Sequence, residues 1–440
     1  MQQYVSSLRV DSSPREVGAD QLTNERRPWA EAVLFSAALS LLFALVYGGC
    51  NALASGRTDL ATRFFEWELT IPFVPALIVP YMSIDLFFVA SFLLCSDRVE
   101  LRTHARRIAL AILVAGLAFL MFPLTAGYPR PEVSGWTGKL FEFLWSFDKP
   151  HNLVPSLHVA LASLLWPVYA RRTDRLLRWL VHMWFTLIIV SPLLTWQHHL
   201  LDVATGAMLG QACLFAFPEP RDRVHISIRR RDRSLVRSSP NLRVAGFYAI
   251  GWAALGVLAI ALGSWFWLLM WPASSLALIA IAYVRGNSSV LRKANGRLPI
   301  STRVVLGPYL CGTFARRLIY RSGKPFAEAA PGVYCGRLLT KREALAVRRM
   351  GVVAVLDLTA EHAETRGFLA AHTHASTCAS AKGETGSGFS LLTFPIASAG
   401  SCSLKRGSNV NEVKPDPCFY LNVPIPVSYT HLTLPTICSV

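Results

Sequence analysis

The chain has 440 residues, of which 52% are hydrophobic and only 16% are charged. Together with a mean hydropathy of +0.38, this composition excludes an ordinary soluble domain of this length. A formal charge of +17 would suit nucleic acid, but the basic residues occur in short bursts between apolar runs, which argues against that partner. The nine cysteines include no Cys-x-x-Cys pair, so neither a disulfide framework nor a zinc site is expected. We therefore expect a membrane protein without a metal or another cofactor.

Apolar runs long enough to cross a bilayer recur along the chain. A spanning helix needs about 20 residues, and eight runs meet that length, although the fourth and the sixth are short or interrupted. The first run follows a polar tail, 1–28, and precedes others of its kind, so we interpret it as a retained span and not a cleaved signal. The runs are approximately 30–50, 72–95, 106–126, 153–170, 178–197, 200–218, 244–262 and 264–284.

Arginines are concentrated in alternate connections between these runs. Because cytoplasmic loops carry an excess of Lys and Arg, this pattern predicts a cytoplasmic N-terminal tail, a cytoplasmic loop at 219–243, and outward-facing segments at 51–71 and 127–152 of a cell (inner or plasma) membrane. Residues 56–69 have near-helical apolar spacing, which predicts either a short helix in the outer interface or a plain loop. The arginines are Arg26, Arg27, Arg98, Arg102, Arg106, Arg107, Arg171, Arg172, Arg175, Arg178, Arg221, Arg223, Arg229, Arg230, Arg231, Arg233, Arg237 and Arg243.

The end of the chain is less apolar and divides into three parts. Residues 285–330 are predicted to be a basic linker, because Gly and Pro interrupt them. From 331 to about 375, two β-rich runs flank a segment of helical spacing, which predicts the strand-helix-strand start of a small, incomplete α/β domain in the cytoplasm. Residues 376–440 lose this periodicity. We expect an irregular tail there, of the kind that a truncated or mis-assembled reading frame produces.

A histidine and an aspartate lie four residues apart at the predicted outer end of the sixth run. On a helix, His198 and Asp202 would share one face, so the carboxylate could orient the imidazole. A histidine held in this way can attack phosphorus, and the aspartate stabilises the charge that develops on the ring. An isolated pair of this spacing is more often a surface or packing feature.

A second histidine lies at the predicted outer end of the fourth run. Pro155 is expected to open a helix whose free amides, together with Ser156, form an anion site. His158 would then be placed to protonate a leaving oxygen. Ser-x-His alone is a weak signal, but two such segments at the same membrane face favour a catalytic role, because ionisable groups at span ends are costly without one.

The order Arg-Pro, Pro-Ser-x-His and Ser-x6-His-x-x-x-Asp resembles the type 2 phosphatidic acid phosphatase superfamily over roughly residues 30–218. The resemblance implies an all-α core of six transmembrane helices, followed here by two more, and the hydrolysis of a lipid phosphate. By position, it implies that His198 becomes a phosphohistidine, that Asp202 assists it and that His158 is the acid. It also implies that Arg130 and Ser156 bind the phosphate.

The sequence departs from the family pattern at three positions. Pro123 replaces a lysine, Pro192 replaces an arginine and Leu157 replaces a glycine. Fewer cations are then left to neutralise the phosphoryl oxygens, which weakens the case for monoester hydrolysis. The Pro-Ser-Leu-His and His-His-x-x-Asp-Val forms look more like the inositol phosphorylceramide synthase branch, which transfers a phosphoryl-alcohol group between lipids.

Three functions follow from these features and stay open. They are a lipid phosphatase, a phosphotransferase that uses the same residues with another acceptor, and a lipid transporter or scaffold without chemistry. The expected partners are membrane lipids and a lipid phosphate, and not nucleic acid. Missing charge or hydrogen bonds could come from four further residues that no spacing distinguishes, which are Lys139, Lys149, His151 and His199.

The segment that begins GVYCG resembles the opening of a dual-specificity protein phosphatase domain. Such a domain works through His-Cys-x5-Arg, in which amides and Arg hold the phosphate and Cys attacks it. No such motif follows residue 331, and Cys311 and Arg317 have this spacing only before the first predicted strand. We therefore expect the segment to be inactive. Asp85, inside the second run, is interpreted as a structural carboxylate in a proline-distorted helix.

Overall fold

The structure of the chain is a computed structural model with two compact units, Met1–His225 and Ile226–Val440. In the first unit, the structure describes residues 27–57 and 60–219. Most of the predicted N-terminal tail, of the basic loop 219–243 and of the tail 376–440 lies outside the described residues. In the second unit, the described residues are 241–293, 297–319, 325–330, 333–350, 354–357, 419–422 and 437–439.

The described part of the first unit is a bundle of α-helices. Two of them begin at aspartates whose carboxylates accept backbone N–H groups of the first turn, Asp97 before the third helix and Asp174 before the sixth. In chain order, the helices are α1 (Trp29–Ser55), α2 (Ile78–Leu93), α3 (Arg98–Met121), α4 (Gly135–Phe147), α5 (Leu157–Arg172), α6 (Arg175–Leu194) and α7 (Leu200–Ala216).

Within the described residues, six helices are long and apolar enough to cross a membrane, four of them in the first unit. The chain is therefore an all-α polytopic protein in its main part. The fourth and sixth predicted spans correspond to α5 and α7, which have only 16 and 17 residues. At 1.5 Å per residue, such helices are roughly 25 Å long, a little less than the hydrocarbon core.

Helix α5 lies at the centre of the bundle. Its residues Val159, Ala160, Ala162, Leu164 and Leu165 are completely buried. Helix α7 lies against it through two glycines: a Cβ on Gly206 would come within 2.3 Å of the Ser156 carbonyl oxygen, and a Cβ on Gly210 within 2.8 Å of the Ala160 carbonyl oxygen. Only glycine allows the two backbones to approach so closely.

Arginines gather at one end of this bundle, as the alternate connections predict. The guanidinium of Arg107 is buried and pairs with Glu219, which also pairs with Arg171 at 3.0 Å. Arg172 pairs with Glu100. These ion pairs partly neutralise the predicted cytoplasmic charge of the first unit. They also stabilise the ends of α3, α5 and α7 against one another. This end is called the arginine end below.

The opposite end, called the site end below, is more structured than predicted. The described residues of 56–69 do not form the α-helix that was one of two expectations; a short 3-10 helix, Glu66–Thr70, follows Phe65, whose backbone is extended. A second 3-10 turn, Pro75–Leu77, precedes α2. The predicted loop 127–152 contains α4, which packs Phe141 and Leu144 against Ile78 and Tyr81.

The second unit begins with α8 (Leu242–Leu262) and α9 (Met270–Val284), joined by a 3-10 helix, Ser264–Leu269. The predicted linker 285–330 is more regular than expected, because it contains a 3-10 turn, two short helices and a strand. These are Ser288–Leu291, α10 (Ile300–Val305), α11 (Gly307–Ile319) and β1 (Phe326–Ala330).

A small sheet closes the described part of the second unit. The predicted strand, helix and strand are present as β2 (Val333–Gly336), α12 (Lys341–Arg349) and β3 (Ala354–Asp357). Two further strands, β4 (Phe419–Asn422) and β5 (Ile437–Ser439), lie in the segment predicted to be irregular. The strand order is β1-β2-β5-β3-β4, with β3 and β4 parallel and the other pairs antiparallel.

Candidate active site

A pocket opens at the site end of the first unit, where α1, the segment 126–153 and the turn before α7 meet. Two of the five predicted site residues, Arg130 and His198, line it. Asp202 lies behind His198, whereas His158 and Ser156 do not line the pocket. Its polar lining residues include Tyr47, Arg130, Asp148, Lys149, Asn152 and His198.

The predicted pair of His198 and Asp202 is formed, but not on a shared helical face. His198 precedes α7, and Asp202 lies in the first turn of that helix. The Asp202 Oδ2 atom accepts the backbone N–H of His199 at 2.9 Å and lies 3.3 Å from His198 Nδ1. The backbone N–H of His198 is held by the Pro192 carbonyl at 3.1 Å. The carboxylate therefore caps the helix and orients the imidazole at the same time.

This geometry assigns a role to each nitrogen of the His198 ring. A carboxylate can only accept a hydrogen bond, so Nδ1 carries the proton and Nε2 keeps its lone pair. Because His198 lines the pocket, Nε2 is the atom available for nucleophilic attack. His198 and Asp202 are both nearly completely buried. The fold therefore fixes the orientation of the ring, and solvent does not compete for its contact with the carboxylate.

His158 lies in the first turn of α5, further from the site end than His198. Its Nε2 atom is 3.1 Å from the Ile188 carbonyl of α6, and its ring stacks on Tyr81 of α2 with centroids 4.3 Å apart. A carbonyl only accepts, so Nε2 donates, and Nδ1 is the ring nitrogen that could exchange a proton with a substrate.

Ser156 has a different environment from the one that the sequence suggests. It is the N-cap of α5, its hydroxyl accepts the Val159 N–H at 3.4 Å, and it is completely buried. Its own N–H donates to the Asp202 carbonyl at 2.9 Å. Pro155 precedes this cap and is not the first helical residue. Ser156 thus joins α5 to α7 behind the dyad.

Arg130 presents a cation to the pocket. It is exposed, its Nη2 atom donates to the Asp148 carbonyl at 2.9 Å, and its guanidinium lies 5.2 Å from the centre of the Trp145 ring. Both contacts restrain a long side chain that would otherwise be free. Four further residues could supply charge or hydrogen bonds, namely Lys139, Lys149, His151 and His199. Of these, only Lys149 is among the residues that line the pocket.

One acidic residue, which the sequence motifs did not indicate, faces the pocket. Asp148 Oδ1 accepts the Tyr47 hydroxyl at 2.7 Å, and the Tyr47 carbonyl accepts the Asn152 side-chain amide at 2.8 Å. Burial raises the pKa of Asp148, although the Tyr47 hydrogen bond, His198 and Arg130 act in the opposite direction. The only sequence signal is a cluster of polar residues, 148–152, directly before Pro-Ser-Leu-His.

His199 supports the structure and does not face the pocket. It is completely buried, and its Nε2 accepts the Gly127 N–H at 3.0 Å. Its ring lies between Phe64 and Tyr128, with centroids 4.9 and 4.4 Å away. Burial lowers the pKa of His199, although the carboxylates of Asp202 and Glu68 act in the opposite direction. A buried ring whose Nε2 is already occupied by the Gly127 N–H is poorly suited to replace His198 as the nucleophile.

The remaining sequence candidates lie outside this site. Asp85 is on α2 and does not line the pocket. The segment from Cys311 to Arg317 lies within helix α11, so its amides are engaged in helical bonds and do not form a phosphate-binding loop.

No protein-family model, curated protein or solved structure shows a significant match to the chain.

Proposed function

We propose that the chain is an integral membrane lipid phosphatase that acts through a phosphohistidine on His198. The observation that carries the proposal is the buried His198 and Asp202 pair at the wall of a pocket that also presents Arg130. An oriented imidazole with a free Nε2, beside a restrained cation, is the minimum that nucleophilic attack on a phosphate ester requires.

The proposed reaction proceeds in two displacements. His198 Nε2 attacks phosphorus, the bond to the leaving oxygen breaks, and that oxygen takes a proton from His158. Water then gives a proton to His158 and attacks the phosphohistidine, the N–P bond breaks, and its electron pair returns to the ring while phosphate leaves. Asp202 stabilises the positive ring in the intermediate. Arg130 and Lys149 offset the charge of the phosphoryl oxygens in place of the cations that the family has at Pro123 and Pro192.

The position of His158 favours an amphiphilic substrate. The polar groups of the pocket are at the site end, whereas His158 contacts Tyr81 and Ile188 within the helices. A phosphate in the pocket would then direct its lipid oxygen toward His158. Near the pocket, α4 and the 3-10 helix Glu66–Thr70 expose aromatic side chains of the kind enriched at membrane interfaces, which are Trp67, Trp136, Phe143 and Phe147.

A phosphotransferase is the second candidate, and Asp148 favours it. Among the described residues that line the pocket, it is the only one with a carboxylate. A carboxylate repels a free phosphate dianion but accepts hydrogen bonds from hydroxyl groups. It would therefore suit a phosphoryl group that carries an alcohol, which the enzyme would move to a second lipid. In both cases we propose that the pocket faces the outside of the membrane and that the C-terminal unit is cytoplasmic.

Incubation of the purified protein with labelled phospholipids and isoprenoid phosphates tests this proposal. We expect His198→Ala to abolish turnover and the acid-labile phosphoenzyme, and Asp202→Asn to lower the rate about 10³-fold or more. His182→Ala is the matched control, because His182 bonds to Trp166 of α5 and does not line the pocket. A transferase would form product lipid with little free phosphate. A scaffold would form neither, and His198→Ala with wild-type turnover would contradict the proposal.

A further inference from the structure

Glu68 is a completely buried carboxylate in the 3-10 helix Glu66–Thr70, between α1 and α2. Its Oε2 atom accepts the N–H of Leu200, the first residue of α7, at 2.7 Å. Its Oε1 atom accepts the N–H of Phe65 at 2.8 Å. Oε2 also lies 3.4 Å from Nδ1 of His199. An anion buried this completely is tolerated because it meets the positive end of a helix.

The same short turn contains the groups that orient the nucleophile. The N–H of His199 donates to Asp202 Oδ2, and that oxygen also faces His198 Nδ1. The next N–H in the chain, that of Leu200, is the one that Glu68 accepts. Asp202 and Glu68 therefore accept hydrogen bonds from two consecutive backbone amides, those of His199 and Leu200. Neither carboxylate can move without displacing the backbone between them.

The surroundings of Glu68 make this contact rigid. Its backbone carbonyl accepts the Tyr128 hydroxyl at 3.2 Å, and the Tyr128 ring stacks on His199. On the same 3-10 helix, Trp67 and Leu69 are exposed. Glu68 is thus the one residue of the 3-10 helix Glu66–Thr70 that is buried in the protein. Its Oε2 atom connects this helix to the start of α7, and its Oε1 atom holds the turn at Phe65.

From these contacts we infer that Glu68 is a positioning residue for the reaction, which fixes the first turn of α7 and thereby the orientation of His198 and Asp202. The inference rests on the proposed function. It does not require Glu68 to touch the substrate. Because a displacement of about 1 Å at a reacting atom can lower a rate 100-fold, loss of the carboxylate should slow the attack of His198 while the binding of phosphate, through Arg130 and Lys149, is retained.

The test compares Glu68→Gln with Glu66→Gln, which removes an exposed carboxylate from the same 3-10 helix. In detergent micelles with dioctanoyl phosphatidate, we expect Glu68→Gln to lower kcat and the rate of phosphoenzyme formation about tenfold to 100-fold. The inhibition constant of inorganic phosphate should change less than about threefold, because no phosphate contact is removed. Glu66→Gln should match the wild type in both.

Size-exclusion chromatography establishes that each variant is folded. Should Glu68→Gln not be recovered, Glu68→Asp is measured instead; its shorter side chain cannot reach both amides, and the same fall in kcat at constant phosphate inhibition is expected. An unchanged kcat, or a parallel loss of kcat and phosphate binding, would overturn the positioning role. A wild-type protein without phosphoenzyme or product would instead contradict the proposed function, and the positioning role with it.

Discussion

The two histidines of the candidate site are distinguished by the atoms that hold them. His198 has its Nδ1 at a carboxylate, which stabilises a positive ring, whereas His158 has its Nε2 at the Ile188 carbonyl. A neutral acceptor stabilises a protonated ring less than an anion does. The first arrangement suits a nucleophile that becomes charged in the intermediate, and the second suits an acid that loses its proton readily.

Replacement of His158 should therefore affect the leaving group more than the nucleophile. We expect His158→Ala to lower the rate with dioctanoyl phosphatidate 100-fold or more, by the usual magnitude of about 10²–10⁴ for acid catalysis. With p-nitrophenyl phosphate, whose leaving group needs no proton, most of the rate should return. Equal losses with both substrates would contradict the acid role.

The Asp148 carboxyl gives a second prediction at this scale, because it places negative charge beside an anion site. We expect Asp148→Asn to lower the inhibition constant of inorganic phosphate about fivefold at pH 8, the factor that corresponds to about 1 kcal/mol. Glu142→Gln, which removes an exposed carboxylate from α4, is the control. Weaker phosphate inhibition in Asp148→Asn would show that the carboxyl helps to bind phosphate.

The sequence predicted His198 and Asp202 because their contact is local, and it could not predict Asp148 or Glu68. The Tyr47 hydroxyl that holds Asp148 is 101 residues away, and the Leu200 amide that Glu68 holds is 132 residues away. No periodicity connects positions so distant. Ser156 shows that a motif can identify a residue without revealing its contacts. The motif suggested that Ser156 binds phosphate, whereas its hydroxyl caps α5.

At the scale of elements, the site depends on how closely α7 approaches α5. The Ser156 carbonyl lies so close to Gly206 that a Cβ on Gly206 would clash with it. The backbone N–H of Ser156 in turn donates to the Asp202 carbonyl. A chain of aromatic rings supports the same region. It runs through Phe64, His199, Tyr128, Trp196, Phe73, Phe141 and Trp145, and it ends at Arg130.

Insertion of one methyl group between these helices should impair both stability and catalysis. We expect Gly206→Ala to destabilise the protein by about 1–3 kcal/mol, the usual effect of overpacking, and to lower kcat because Asp202 moves with the backbone. Gly48→Ala is the control, since a Cβ there meets nothing within 4 Å. Thermal unfolding in detergent and phosphatase assays measure the two effects. A Gly206→Ala protein as stable as Gly48→Ala would show that α5 and α7 can move apart without a loss of stability.

Elements were predicted well where they are long and apolar, and less well at the site end. All eight predicted runs contain a helix, and six of these helices are long and apolar enough to cross a membrane. Helix α4 was missed within a predicted loop, and of the two expectations for 56–69 the described residues favour the loop, which ends in the short 3-10 helix Glu66–Thr70. In that segment, Phe64 packs on His199 and Glu68 bonds to Leu200. These tertiary contacts override the apolar spacing, which is why the local pattern misled.

At the scale of the whole molecule, the first unit has two chemically different ends. The arginine end is held by the pairs of Arg107 and Arg171 with Glu219 and of Arg172 with Glu100. The site end carries the pocket. A membrane around the bundle would separate these two ends, because α1, α5, α6 and α7 connect them. The positive-inside rule then predicts that the arginine end is cytoplasmic.

This orientation can be measured with single cysteines in a cysteine-free background. Ser134, at the start of α4, is exposed at the site end, and Ser234 lies in the predicted basic loop 219–243. We expect a membrane-impermeant thiol reagent to label Ser134→Cys in intact cells and Ser234→Cys only after permeabilisation, because several arginines near Ser234 favour the cytoplasm by about 1 kcal/mol each. Labelling after denaturation controls for expression. Labelling of both from the same side would end the assignment of the site to the outer face, and a reversed pattern would place the pocket in the cytoplasm.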